Sequence, residues 1–141
     1  MEDTIWMPTW QKLVNKLDEL GYDQLTENER IWVNIRDLID SFNDGGLISY
    51  YYNHGADYLE DMMDNLKELG AANILELVVK LNQLFPNGVP PKDIDARNDI
   101  ISSWEDESID ELLEELDSEF DELVGELEAR LVPVIEQIIT Q

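Results

Sequence analysis

Apolar residues recur along this chain at spacings of three and four and almost nowhere at two, so the pattern predicts helices from end to end. Trp10, Leu13, Val14, Leu17 and Leu20 form a first stripe, opened by Pro8 in a first turn and closed by Gly21. Thr26 and Glu29 have the spacing of a capping box, in which each side chain satisfies the other residue's free backbone N–H. Behind them Ile31, Trp32, Ile35, Leu38, Ile39 and Phe42 make a second stripe that ends near Asn43. Gly45 and Gly46 then permit a sharp reversal into Leu47, Ile48, Tyr50 and Tyr51, a short aromatic helix before Gly55, although Ile48 to Tyr52 is strand-like by propensity alone. Tyr58, Leu59, Met62, Met63, Leu66 and Leu69 continue the period to Gly70, and Ile74 to Leu84 carry it to Pro86; these two segments are expected as an antiparallel pair.

Pro86-Asn87-Gly88-Val89-Pro90-Pro91 is a loop, since three prolines remove donors and fix the backbone. Asp93 or Asp95 is placed to cap a helix carrying Ile100, Ile101 and Trp104, and Ser108 with Glu111 has the spacing of a second capping box at the head of the last long helix. Its period runs to about Leu131, where Pro133 is expected to kink it or set off a terminal segment of Val134, Ile135, Ile138 and Ile139. The expectation is an all-α chain, one multi-helix domain over residues 1–141 that ends in a long acidic helix.

Charge changes the picture most. The chain holds 33 acids against 9 bases, a net charge of -24, which sets it against direct contact with nucleic acid or anionic lipid and points to basic partners. With 43% hydrophobic residues and aromatics spread throughout, such acidity belongs to a folded domain rather than a disordered tail. There is no cysteine, the first residues are acidic where a signal peptide is basic, and no apolar run approaches the roughly 20 residues that span a bilayer, so the expected setting is cytoplasmic.

The acids concentrate between Glu105 and Ala129, where thirteen Asp or Glu stand without one Lys or Arg. On a helical wheel Ile109, Leu112, Leu113, Leu116, Phe120, Leu123, Val124 and Leu127 share one stripe, while Asp110, Glu111, Glu114, Glu115, Asp117, Asp121, Glu122, Glu126 and Glu128 fall on the other side. At 1.5 Å per residue the mean spacing is about 3 Å of axis per charge, close to the roughly 3.4 Å of a single B-DNA strand. These nine are the candidate partner-binding residues. A solvated amphipathic face is the plain alternative, but forgoing every Glu-to-Lys pair accepts like-charge repulsion at each i,i+4 step. Crowding is also expected to raise the carboxylate pKa values, so that stability falls as pH rises through that window.

Catalytic and metal chemistry find little to build on. His54 is the single histidine, which removes Ser-His, Cys-His and histidine-rich zinc arrangements, and it is read as a capping or surface group. Asp40, Asn43 and Asp44 near Gly45 do not fit a calcium loop, and Gly45-Gly46 lacks the lysine of a phosphate loop. No enzyme activity, cofactor or metal is expected. The tyrosines at 50, 51, 52 and 58 read as packing, with the Tyr50 and Tyr51 hydroxyls reaching a helix end.

Three segments carry a resemblance. Asn43-Asp44-Gly45-Gly46-Leu47-Ile48-Ser49-Tyr50-Tyr51-Tyr52-Asn53-His54-Gly55, then Leu66-Lys67-Glu68-Leu69-Gly70-Ala71, then Leu84-Phe85-Pro86-Asn87-Gly88-Val89-Pro90-Pro91 with Asp93 and Arg97 behind it, resemble in order and separation a bacterial domain-of-unknown-function family that includes a DNA-mimic protein. The chain departs from it at Leu47, where an aromatic is usual, and at His54, where a small residue is usual. The resemblance covers about Glu29 to Leu131 and implies an all-helical fold, homodimerisation and, for the DNA-mimic member, occupation of a transcription regulator in place of DNA. Within it Gly45, Gly46, Tyr50, Asn53, Gly55, Pro86, Gly88 and Pro90 are expected to be structural. The resulting functional expectation is a DNA mimic that occupies the basic surface of a DNA-binding protein. An immunity or antitoxin-like cover for a basic toxin or nuclease, and a helical scaffold whose acidity serves solubility, stand as alternatives.

Overall fold

A computed structural model describes residues 3–140, with side chains from Trp6 onward. Seven α-helices follow one another among these residues: α1 Asp3–Leu20, α2 Glu27–Gly45, α3 Leu47–Tyr51, α4 Leu59–Glu68, α5 Ala72–Asn82, α6 Ile94–Ser102 and α7 Glu107–Ile139. Short 3-10 turns fill Tyr22–Gln24, His54–Tyr58 and Pro86–Gly88, and no described residue is in a strand, which resolves the aromatic segment after Gly46 as helix. No described helix is long and apolar enough to cross a membrane.

The centre of the fold is α2, which packs against α3, α4 and α7. Of its expected stripe Ile31, Trp32, Ile35, Leu38 and Ile39 are buried and Phe42 is half-buried against Phe120; Val33 and Asn34 are buried too, because neighbours cover the helix on more than one side. The capping box forms as the spacing predicts: Glu29 N–H donates to Thr26 Oγ1 at 3.2 Å and Thr26 N–H to Glu29 Oε1 at 2.8 Å. Glu29 also takes Lys16 Nζ at 2.7 Å, which ties α1 to the head of α2. The helix outlasts Asn43 by two residues and closes on Gly46, whose φ of 87° is open to a residue without Cβ.

Three boundaries differ from the sequence expectation, each for a local reason. Helix α1 starts at Asp3, so Pro8 lies inside it rather than in its first turn. Helix α7 is capped not by a Ser108–Glu111 box but by Asp106, whose Oδ1 takes both the Ser108 N–H at 2.9 Å and the Ser108 hydroxyl at 2.8 Å. An aspartate two residues upstream reaches the free donors first, and it engages the hydroxyl that the box would need. Pro133 does not divide the last helix, which runs its 33 residues without a break. A proline inside a helix costs about 3 kcal/mol, yet Pro133 sits on the exposed side while Leu131 and Ile135 are almost fully buried beside it, and two such burials recover about that much. The resulting rod, roughly 50 Å long at 1.5 Å per residue, lies along α2 and α5 and touches α1 and α3.

Candidate partner-binding surface

The long helix presents its acids in three different environments. Asp110, Glu111, Glu114, Glu115, Asp121 and Glu122 are exposed and take no hydrogen bond or ion pair from any described residue. At about 100° per residue these six fall within an arc of about 140°, as two parallel rows. One row is Asp110, Glu114 and Asp121; the other is Glu111, Glu115 and Glu122. They span roughly 18 Å of axis, or about 3 Å per charge, so the density read from the sequence survives in this narrower set. Buried Leu116, Phe120 and Leu127 on the opposite side hold the face outward.

The other three predicted acids stand apart from these rows, two of them bonded to other residues. Asp117 is half-buried, and its Oδ1 accepts the Leu47 N–H at 2.9 Å, so it serves the head of α3. A Cβ on Gly46 would stand 2.5 Å from Asp117 Oδ2, so this contact, together with the positive φ, requires glycine there. Glu126 is exposed but pairs with Arg130 Nη2 at 2.8 Å, and the same guanidinium donates to the Leu69 carbonyl at 3.1 Å at the end of α4. Glu128 is half-buried at the edge of a groove between α1, α2 and α7. The wheel sorted residues by angle, whereas Asp117 and Glu128 are decided by neighbours from distant parts of the chain and Glu126 by Arg130, one turn on and just past the run without bases.

The glycine and proline segments converge on a residue that composition and periodicity do not mark. Arg97 of α6 is completely buried. Its Nε donates to the Tyr51 carbonyl at 2.9 Å, Nη2 to Asn53 at 2.8 Å, and Nη1 to Pro91 at 3.1 Å and Lys92 at 2.8 Å. Asp57 Oδ1 stands 3.0 Å from Nη1 and supplies the opposite charge, though it lies off the line of a hydrogen bond. One side chain thus joins the end of α3, the turn after it and the proline loop. Around it Tyr50 donates its hydroxyl to the Gly55 carbonyl at 3.1 Å, and Asn53 Nδ2 donates to the Ser49 carbonyl at 3.0 Å and Ser41 Oγ at 3.2 Å. The Tyr51 hydroxyl reaches Asn82 at the end of α5. Pro86 opens the 3-10 turn that Gly88 closes with a φ of 71°, and Pro90 leads into the carbonyls that Arg97 takes. Gly45 has only ordinary contact with Ser49, so a side chain fits there where it does not at Gly46.

A carboxylate beside this joint is perturbed. Asp37 of α2 lies beneath Gly55, where an added Cβ would come within 2.6 Å of its Oδ2. Burial, and then the charge of Asp40, push its pKa up to about 6. Glu68 at the end of α4 is also raised, by burial and by Glu27 and Asp64. Both lie off α7, on α2 and α4. His54 is exposed, with Nδ1 3.4 Å from Asp57 Oδ2. No cluster of three or more His, Asp or Glu among the described residues is arranged to hold a metal ion.

Among known proteins, the family described as DMP19-like protein matches residues 23–138, from the turn after α1 to the last turn of α7. No curated protein and no solved structure matches the chain.

Proposed function

The chain belongs to the DMP19-like protein family, and from that premise we propose that it is a non-enzymatic acidic binding protein that occupies the basic surface of a DNA-binding protein in place of DNA. The observation that carries the reading is the pair of carboxylate rows on α7, six exposed acids with no base among the described residues to neutralise them. Lysines and arginines arranged for phosphates meet a comparable charge per length there, on a rod whose shape does not depend on the partner. Homodimerisation, implied by the same resemblance, belongs to this reading.

Exposed charges at this spacing are screened within about 10 Å at 0.1 M salt, so affinity is expected to fall steeply as salt rises. The test is capture from a lysate of the native cell at low salt. A DNA-binding protein should be retained, and both added salt and added duplex DNA should release it. Retention that neither salt nor duplex disturbs counts against the proposal.

A further inference from the structure

Charge density alone selects poorly among basic proteins, because every phosphate-binding surface satisfies it. A groove of about 550 Å³ between α1, α2 and the end of α7 supplies a feature that phosphate lacks. Trp6, Met7 and Trp10 form one wall, Trp32 the floor, and Leu131 and Ile135 the other wall. Trp10 and Trp32 pack with ring centroids 5.1 Å apart, which fixes the floor, and Met7 stands 54% exposed at the lip.

The polar groups on this groove are unevenly satisfied. Arg36 is committed to Asp40, Nη2 to Oδ1 at 2.7 Å. Glu128 enters from the acidic helix, is half-buried against the aromatic lining, and takes no hydrogen bond or ion pair from any described residue. A partly covered carboxylate with no donor of its own is open to a cation delivered by a partner.

We propose that this groove receives a large apolar side chain of the basic partner, while a neighbouring lysine or arginine of that partner pairs with Glu128. The inference rests on the reading of α7 as a basic-partner surface and adds the source of its selectivity. Glu128 lies on the same helix as the carboxylate rows, about 9 Å along the axis beyond Glu122, so one docked segment covers the rows and the groove together. An apolar anchor seated in a desolvated pocket beside a charged rim is the usual location of binding hot spots. A second copy of the chain fits less well at this groove, because a chain of net charge -24 has few cations to set against the unpaired Glu128, and a dimer is left to other faces. The wall formed by Trp6, Met7 and Trp10 lies before residue 23, where the family match begins.

The test uses two synthetic peptides of equal length and equal arginine content, one spaced with serine and the other with leucine, titrated into the full chain over a range of salt. The leucine peptide is expected to bind about tenfold tighter or more, the value of one well-buried aliphatic side chain, and to shift the tryptophan emission. The Trp6→Ser/Met7→Ser double variant should erase most of that ratio, and Glu128→Lys should lower it from the opposite wall without touching α1. Glu114→Gln with Glu115→Gln should weaken both peptides alike and flatten their salt dependence. Equal affinity for the two peptides, or a ratio untouched by the groove variants, overturns the proposal. A dimer that the double variant converts to monomer also overturns it, since the groove then belongs to a second copy. If the leucine preference persists while the α7 variants change nothing, the groove stands and the reading of the acidic face fails.

Discussion

Arg97 and the outer face of α7 carry charge under opposite conditions. The guanidinium is fully buried, opposed by Asp57 and bound to four backbone carbonyls, so its charge contributes no field at the surface. The six carboxylates of α7 are exposed and unopposed among the described residues, so nearly all of their field is directed outward. Buried charge must be matched on every side and therefore specifies a geometry, whereas exposed charge contributes little to folding and stays available to a partner. The family-like motifs belong to the first kind of region and the proposed activity to the second. This is why motif residues transmit the fold so well and say little about what is bound.

The comparison breaks most readily at its buried end. Arg97→Met leaves four carbonyls without their donor and the Asp57 carboxylate without its opposite charge, and a loss of about 3 to 5 kcal/mol is expected in urea denaturation. A loss below about 1 kcal/mol would mean that the joint is a by-product of the fold. Asp37 tests an intermediate case, a half-buried carboxylate with no opposite charge. Its folded pKa of about 6 lies above its unfolded value, so the stability it contributes is fully present below about pH 4 and is lost as pH rises through 6. After discounting for solvent screening, wild type should lose about 2 kcal/mol relative to Asp37→Asn between those limits. A wild type that gains stability relative to Asp37→Asn as pH rises from about 4 to about 7 would contradict the assignment. At the exposed end, neutralising Glu114, Glu115, Asp121 and Glu122 together should leave the urea midpoint unchanged or raise stability by a few tenths of a kcal/mol, through relief of i,i+4 repulsion. A loss above about 1 kcal/mol would show that these acids hold the fold.

How much of this was legible in the sequence depends on how far each residue's partners lie along the chain. The helices follow from periodicity because Ile31, Ile35 and Leu38 report on a single element, and the Thr26–Glu29 cap spans only three residues. The acidic stripe of α7 is local in the same sense. The bond of Asp117 to Leu47 is not legible locally, because the two are 70 residues apart and nothing within a turn of Asp117 distinguishes it from Asp121. Arg97 looks like one of nine bases until α6 brings it within reach of Tyr51, 46 residues earlier. Its only local signal is the resemblance segment that it follows. Pro133 leaves the helix undivided for the opposite reason: its local cost is real, but burial of Leu131 and Ile135 against distant residues offsets it.

All the oxygens that the Arg97 hydrogen bonds take belong to the main chain, at Tyr51, Asn53, Pro91 and Lys92. A peptide carbonyl is the same acceptor whatever side chain it carries, so this lock reads the path of the backbone and ignores spelling. Positions 91 and 92 are therefore free to drift in identity wherever the loop keeps its course, while position 97 admits no replacement. In a randomised library selected for folding, arginine should be recovered at that single site among neighbours that scatter.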